Sequence, residues 1–292
     1  MTTSRSSTCA WVALIASVCL PCRQPFDWPQ MLAFFAGRAT PGVESVRGDT
    51  YRRTWRIGER DCLIEIGPDA AASALRLRIA GAASRPGNAL TRLARSVFDT
   101  EAPIDEFGAG LSKDATLRRM LEQHPGVRVP GAWDGVELTI RAILGQQISV
   151  KAATTIAGRI AGRYGERVSL PTTTAGDLDR LFPTPRRLMR ARFNNIGIVR
   201  TRINTIRSVA SAVEAGELRF DGSVSAIDVR KTLTSIRGIG DWTAEYVAMR
   251  ALGDRDAFPT SDLGLLSAID YPDRVTPKTL GARAEDWRPW RA

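Results

Sequence analysis

Apolar residues change their spacing once along the chain, near residue 88. Ahead of it, "FDWPQMLAFFAGRA" puts Met31, Leu32, Phe34 and Phe35 on one side of a short helix. The stretches "YRRTWRIG", "DCLIEIG" and "ALRLRIAG" then alternate apolar and polar positions between glycines, which predicts half-buried antiparallel strands. In the last of them Leu75, Leu77 and Ile79 alternate with Arg76 and Arg78, giving one dry and one basic face. Past residue 88 the period becomes helical. "ALTRLARSVFD" reads as one helix, and "WDGVELTIRAILG" lines up Trp133, Val136, Ile140, Ile143 and Leu144 on a single stripe. Ser149 is placed to cap "VKAATTIAGRIAGRY", which Gly165 ends. Thr184 caps a helix with Pro185 at its first position. Ile203, Ile206, Val209 and Val213 mark a further helix ending at Gly216, followed by "SAIDVRKTLTSI" and "DWTAEYVAMRALG".

The pattern predicts an α+β protein with no internal repeat. A small antiparallel α+β domain spans residues 25–87, and a helical region spans 88–292 with a tight hairpin near 236–242. Residues 1–24 stand apart as an atypical extension. Their run "CAWVALIASVCLPC" is too short to span a bilayer. It suits a secretion signal in size but lacks a clear cleavage pattern; a start site placed too far upstream or a linker remnant are the other readings.

Charge narrows the partner. With 41 Lys+Arg against 31 Asp+Glu, the net charge is +10, which favours a polyanion, nucleic acid before a membrane surface. Zinc and histidine chemistry are disfavoured. The only histidine is His124, and the Cys19/Cys22 pair has no second pair beside it.

The stretch "GIGDWTAEYVAMRALGDRDAFPTSD", residues 238–262, concentrates the candidate chemistry. Gly238 and Gly240 lack a Cβ, so the backbone can approach a ligand closely, and the N–H groups opening the next helix attract an anion such as a DNA phosphate. Trp242 and Tyr246 are four residues apart and share a helix side. Asp262, ahead of "LGLL", has the position of a helix N-cap.

The wider stretch "LTSIRGIGDWTAEYVAMRALGDRDAFPTSDLGL" resembles the hairpin and Gly/Pro…Asp signature of the helix-hairpin-helix DNA glycosylases. Together with "ELTIRAILGQQISVKAATTIAGRI", "LFPTPRRL" and "PFDWPQMLAFFAGRATPGVESV", it resembles the 3-methyladenine-DNA glycosylase II (AlkA) family, from about residue 25 to the end. The resemblance implies a base-excision repair enzyme that acts on double-stranded DNA containing alkylated purines such as 3-methyladenine. Such an enzyme flips the base out, hydrolyses its bond to the sugar and leaves an abasic site. It implies Asp262 as the catalytic carboxylate, Trp242 and Tyr246 as walls of the base pocket, and Gly238, Gly240 and Thr243 at the DNA backbone. Gln147 would fill the gap left by the flipped base. The carbonyls of Thr234, Ile236 and Gly238 would hold a monovalent cation.

A lysine nucleophile of bifunctional relatives falls at Trp242, so the resemblance implies a glycosylase without lyase activity. No cysteine follows Cys62, so no iron–sulfur cluster and no required cofactor is expected. The family continues past "WRPWR" into a final helix that packs on the hairpin, whereas "EDWRPWRA" is the last segment here. A monomeric cytoplasmic enzyme at the nucleoid is expected. The alternative is a helix-hairpin-helix DNA-binding protein without catalysis.

Overall fold

The computed structural model describes residues 15–81, 87–170, 175–269 and 275–292. Five antiparallel strands form one sheet: β1 (Ile15–Pro21), β2 (Glu44–Arg47), β3 (Thr50–Ile57), β4 (Arg60–Pro68) and β5 (Ala74–Ala80), in the order β1-β5-β4-β3-β2. The three alternating stretches are β3, β4 and β5. Two strands were not expected. β2 is only four residues long, too short to show an alternation. β1 comes from the apolar extension, where Leu20 lies opposite Leu75 and Val18 opposite Leu77; residues 9–14 of that run lie outside the described residues.

Helix α1 (Trp28–Ala36) packs Trp28, Met31, Leu32 and Phe35 against Tyr51, Ile64, Ile66, Leu77 and Ile79 of the sheet. Helix α2 (Asn88–Val97) adds Leu90, Ala94 and Val97 to the same core. The other face is not simply basic. Leu63 and Ala80 meet Ala175 and Leu178 there, and the Thr54 hydroxyl donates to the Arg180 carbonyl 2.5 Å away. The central strands are therefore covered on both sides.

Helices α3 (Ile104–Leu111), α4 (Ala115–Gln123), α5 (Gly135–Gly145), α6 (Val150–Tyr164), α7 (Pro185–Arg190), α8 (Arg200–Glu214), α9 (Ala226–Ser235), α10 (Asp241–Ala251), α11 (Leu263–Ala268) and α12 (Pro277–Ala284) follow. The second core joins Ile140, Ile143 and Leu144 of α5 to Ile156 and Ile160 of α6, Ile206 and Val209 of α8 and Val247 of α10. Ser149 and Thr184 cap α6 and α7 as the sequence predicts. Trp133 departs from its stripe. Asp134 caps α5 through the Glu137 N–H, so Trp133 precedes the helix and turns into the sheet core, stacked on Tyr51 with ring centroids 6.1 Å apart.

A buried ionic cluster ties the sheet to α5. Arg53 is 3% exposed and sits 2.9 Å from Glu137 and 3.4 Å from Glu44, while Arg141 approaches Glu44 at 2.8 Å. Removing one partner strands the others in a dry site, so the cluster fixes how α5 is presented. The loop that α5 feeds, residues 146–149, is part of the site below.

The last elements form a third small core. Phe258, Ile269, Leu280, Ala284 and Trp287 pack together, with Leu265 and Leu266 of α11 against them. Asp114, the N-cap of α4, clamps this unit: Arg283 donates to it at 2.6 and 2.7 Å and the Trp287 indole N–H at 3.1 Å. These donors, Arg283 foremost, hold the Asp114 carboxyl down at about 2. A depressed carboxylate stabilises the fold above its ordinary pKa and loses that contribution as pH falls through the folded value. Asp114→Asn keeps the cap but lowers stability by about 2 kcal/mol near neutral pH. In urea melts at stepped pH, that gap to wild type closes between about 4 and 2.

Candidate active site and hairpin

The hairpin is built from α9, residues 236–240 and α10. Ile239 is 6% exposed and anchors the turn in the helical core, while the two glycines stay on the surface. Their roles differ. Gly238 has φ +95°, and a Cβ there would meet the Thr205 hydroxyl oxygen at 2.2 Å. That hydroxyl donates to the Arg237 carbonyl at 2.9 Å, so α8 seats the turn. Gly240 is the N-cap of α10 with φ −103°, and nothing lies within 4 Å of a Cβ placed on it. Its missing side chain leaves the approach to the helix end open. Helix geometry leaves the N–H groups of Asp241, Trp242 and Thr243 without intrahelical acceptors, which suits a phosphate. The Asp241 carboxylate in the first turn competes for that positive end.

Asp262 is the N-cap of α11. Its Oδ1 accepts the N–H groups of Gly264 at 2.8 Å and Leu265 at 3.1 Å. Its Oδ2 accepts the Trp242 indole N–H at 2.8 Å. One oxygen of the carboxylate therefore serves the cap and the other receives Trp242. Trp242 in turn stacks on Tyr246, with ring centroids 5.3 Å apart and planes 13° from parallel. Carboxylate, indole and phenol ring thus form one contiguous, half-buried group.

Two residues that sequence reasoning passed over fix this group. Arg250 is 8% exposed, holds the carbonyls of Pro130 and Gly131, and donates to the Tyr246 hydroxyl at 2.7 Å. Burial pushes the Tyr246 phenol up, but Arg250, with Arg38 and Arg141, outweighs it and leaves the pKa below the ordinary tyrosine value. The signal was the same four-residue spacing, extended one turn from Tyr246 to Arg250. The second is Gln146. Its side-chain amide donates to the Gly238 carbonyl and to the Thr243 hydroxyl, both at 3.0 Å, while Arg202 donates to its own carbonyl at 2.7 Å. Gln146 staples the α5–α6 loop to the hairpin.

Thr243 is at the start of α10 but turned inward. It is 1% exposed with its hydroxyl engaged by Gln146, which leaves its N–H at the helix start as the group open to a ligand. Gln147 is exposed with φ +60°, projected on the loop that Gln146 fastens, beside Ile148 at 37% exposure. Of the three expected cation carbonyls, Ile236 accepts the Ile239 N–H at 3.0 Å and Gly238 accepts Gln146. Each keeps a second lone pair. Thr234 lies at the end of α9, its hydroxyl turned back onto the Arg230 and Lys231 carbonyls. A cavity of about 830 Å³ reaches Tyr246 from a wall that includes Phe34, Met249, Arg250 and Trp290, but Trp242 and Asp262 do not line it. The carboxylate therefore sits outside this hollow, half-buried.

Gln146→Ala removes the donor that the buried Thr243 hydroxyl accepts. It costs about 1–2 kcal/mol in chemical denaturation and frees the loop carrying Gln147. Hydrogen exchange read at residues 146–149 and 237–243 checks this, with protection falling in both segments together.

Comparison with known proteins agrees with this architecture. The family described as "AlkA N-terminal domain" matches residues 17–134. The DNA-3-methyladenine glycosylase 2 of Escherichia coli is 33% identical over 273 residues, covering 92% of this chain and 91% of that one. A Mycobacterium tuberculosis protein, "Probable bifunctional transcriptional activator/DNA repair enzyme AlkA", is 34% identical over 277 residues, 94% of this chain. The chain spans about half of that relative, 55% of its length. Among solved structures, a 3-methyladenine DNA-glycosylase from Archaeoglobus fulgidus shares the fold with a TM-score of 0.79 at 22% identity, covering 94% of both chains. A Clostridium acetobutylicum 8-oxoguanine glycosylase/lyase bound to DNA has a TM-score of 0.64 at 16% identity, covering 90% of each. With a five-stranded sheet leading into a helix-hairpin-helix bundle, the chain belongs to the AlkA family of DNA-3-methyladenine glycosylases.

Proposed function

We propose that this protein is a monofunctional DNA glycosylase that removes alkylated purines, 3-methyladenine among them, from duplex DNA. The observation that carries the reading is the Asp262–Trp242 hydrogen bond at 2.8 Å with Tyr246 stacked behind it. A base inside the duplex is out of reach of a carboxylate, so the nucleotide is flipped out. An alkylated purine carries positive charge. The ring faces of Trp242 and Tyr246 attract a cation by about 0.5–2 kcal/mol per contact.

When the C1′–N bond breaks, its electron pair leaves with the base, which becomes neutral. The sugar becomes oxocarbenium-like, and the Asp262 carboxylate stabilises that charge. Water then adds its oxygen to C1′ and gives up one proton, with Asp262 able to orient it or take the proton. The Trp242 and α11 N–H groups keep the carboxylate from turning away. A cationic leaving group needs little acid assistance, consistent with a site that has no histidine. The Gly238–Gly240 backbone and the first N–H groups of α10 grip a phosphate, and Gln147 takes the place of the flipped base. A monovalent cation on the Thr234, Ile236 and Gly238 carbonyls would supply positive charge beside that phosphate.

With chromosomal DNA as its substrate, the enzyme acts in the cytoplasm, as a monomer. A role in DNA binding alone leaves unexplained why the capping carboxylate also receives the indole of the stacked pair. Borohydride treatment of an enzyme–DNA mixture tests the monofunctional assignment. No covalent adduct forms, and the nicked strand appears only after alkali. A trapped adduct overturns it.

A further inference from the structure

A second concave surface lies away from Asp262. Arg163, Tyr164, Arg187, Arg190, Arg192 and Asn194 surround a hollow of about 400 Å³ that no acidic residue lines. Arg187 is balanced by Glu166 at 2.9 Å, and Arg163 donates to the Asn194 carbonyl at 2.9 Å. Arg190 and Arg192 are exposed, and neither meets an acid or a carbonyl among the described residues. The Tyr164 hydroxyl accepts the Phe193 N–H at 2.7 Å, which leaves its own hydrogen to donate. The hollow therefore presents donors and positive charge almost throughout. Guanidinium groups converging on one space repel unless an anion joins them.

Its place in the fold indicates which anion. Helix α6 starts at Val150, three residues beyond Gln147, and ends at Tyr164 in this hollow. Its 15 residues span about 22 Å, running back toward the sheet, where Glu166 meets Arg56. Arg159 lies between, on the Ile196 carbonyl, and Arg202 stands at the other end on Gln146. A line of arginines thus runs from the loop at the flipped base to the hollow. We propose that the Arg163/Arg190/Arg192 hollow takes a backbone phosphate of the same duplex, outside the stretch held at the flipped nucleotide. The proposal rests on the glycosylase reading only for where the flipped nucleotide lies.

The test uses the full chain, an Arg190→Ala/Arg192→Ala variant and a control, Arg60→Ala/Arg78→Ala, which removes equal charge from exposed sheet positions. Affinity is measured against salt by fluorescence anisotropy on duplexes with a central stable abasic analogue. The slope of log affinity against log salt falls by about one to two in the Arg190/Arg192 variant and less in the control. An equal slope for wild type and variant on long duplex overturns the proposal. So does a variant that loses only inorganic phosphate while its DNA slope is intact, which assigns the hollow to a free anion. Wild-type protein that binds no duplex at all is a separate result; it overturns the glycosylase reading as well.

Discussion

Asp262→Asn lowers base release by about a thousandfold or more, the combined scale of lost charge stabilisation and lost general-base assistance. Duplex affinity stays within about threefold of wild type, since phosphate contacts carry most of it. The variant stays folded, because asparagine caps a helix about as well as aspartate. It cannot reproduce both bonds. With its amide oxygen on the Gly264 and Leu265 N–H groups, its NH₂ faces the Trp242 N–H, donor against donor. Trp242→Phe separates the two contributions. It keeps the carboxylate charge but removes one hydrogen bond to it, worth about 1.5–3 kcal/mol, so release falls by about 10- to 100-fold. Single-turnover rates on methylated duplex read both variants. A Trp242→Phe loss as large as that of Asp262→Asn would mean that orientation, not charge, dominates.

Gly238→Ala destabilises the protein by about 3 kcal/mol, and Gly240→Ala by less than about 1 kcal/mol. Alanine at Gly238 is forced into the left-handed region and into contact with the Thr205 hydroxyl. Relief would break the Thr205 bond to Arg237 and shift the turn away from Gln146. Gly240 has an ordinary φ and open space, so an added methyl changes stability little while standing where a phosphate approaches. Denaturant midpoints and duplex affinities of the two variants form a crossed pattern. Gly238→Ala loses stability and binding together, whereas Gly240→Ala loses binding with the fold nearly intact. Equal stability losses would mean that the two glycines are both needed for packing.

The elements legible in the sequence were those whose apolar and polar positions keep one spacing over the whole element. The alternation in β3 to β5 and the capped helices α6 and α7 appear as expected. Helices α3 and α4 were missed because their apolar faces cover only parts of the small C-terminal core and carry almost nothing fully buried. β1 was missed because its pattern merged with the apolar run before it, and its partner β5 is some 60 residues away. Within the site, Trp242, Tyr246 and Asp262 were visible through the four-residue spacing and the capping position. Their mutual bond was not, since it joins residues 20 apart through the turn at 258–262. Gln146 and Arg250 escaped notice for a related reason. Each acts by reaching a backbone carbonyl on a distant segment, and such partners leave no trace in side-chain pattern. The inward turn of the Thr243 side chain onto Gln146 was likewise not legible.

The reaction proposed for this chain is cleavage of the bond between an alkylated purine and its sugar. The direct measurement is chromatography of the bases set free when purified protein meets duplex DNA treated with a methylating agent. Free 3-methyladenine is expected, released in proportion to enzyme and time, with the strand left intact until alkali is added. Methylated duplex that is bound by the protein yet yields no free base over many hours would contradict it.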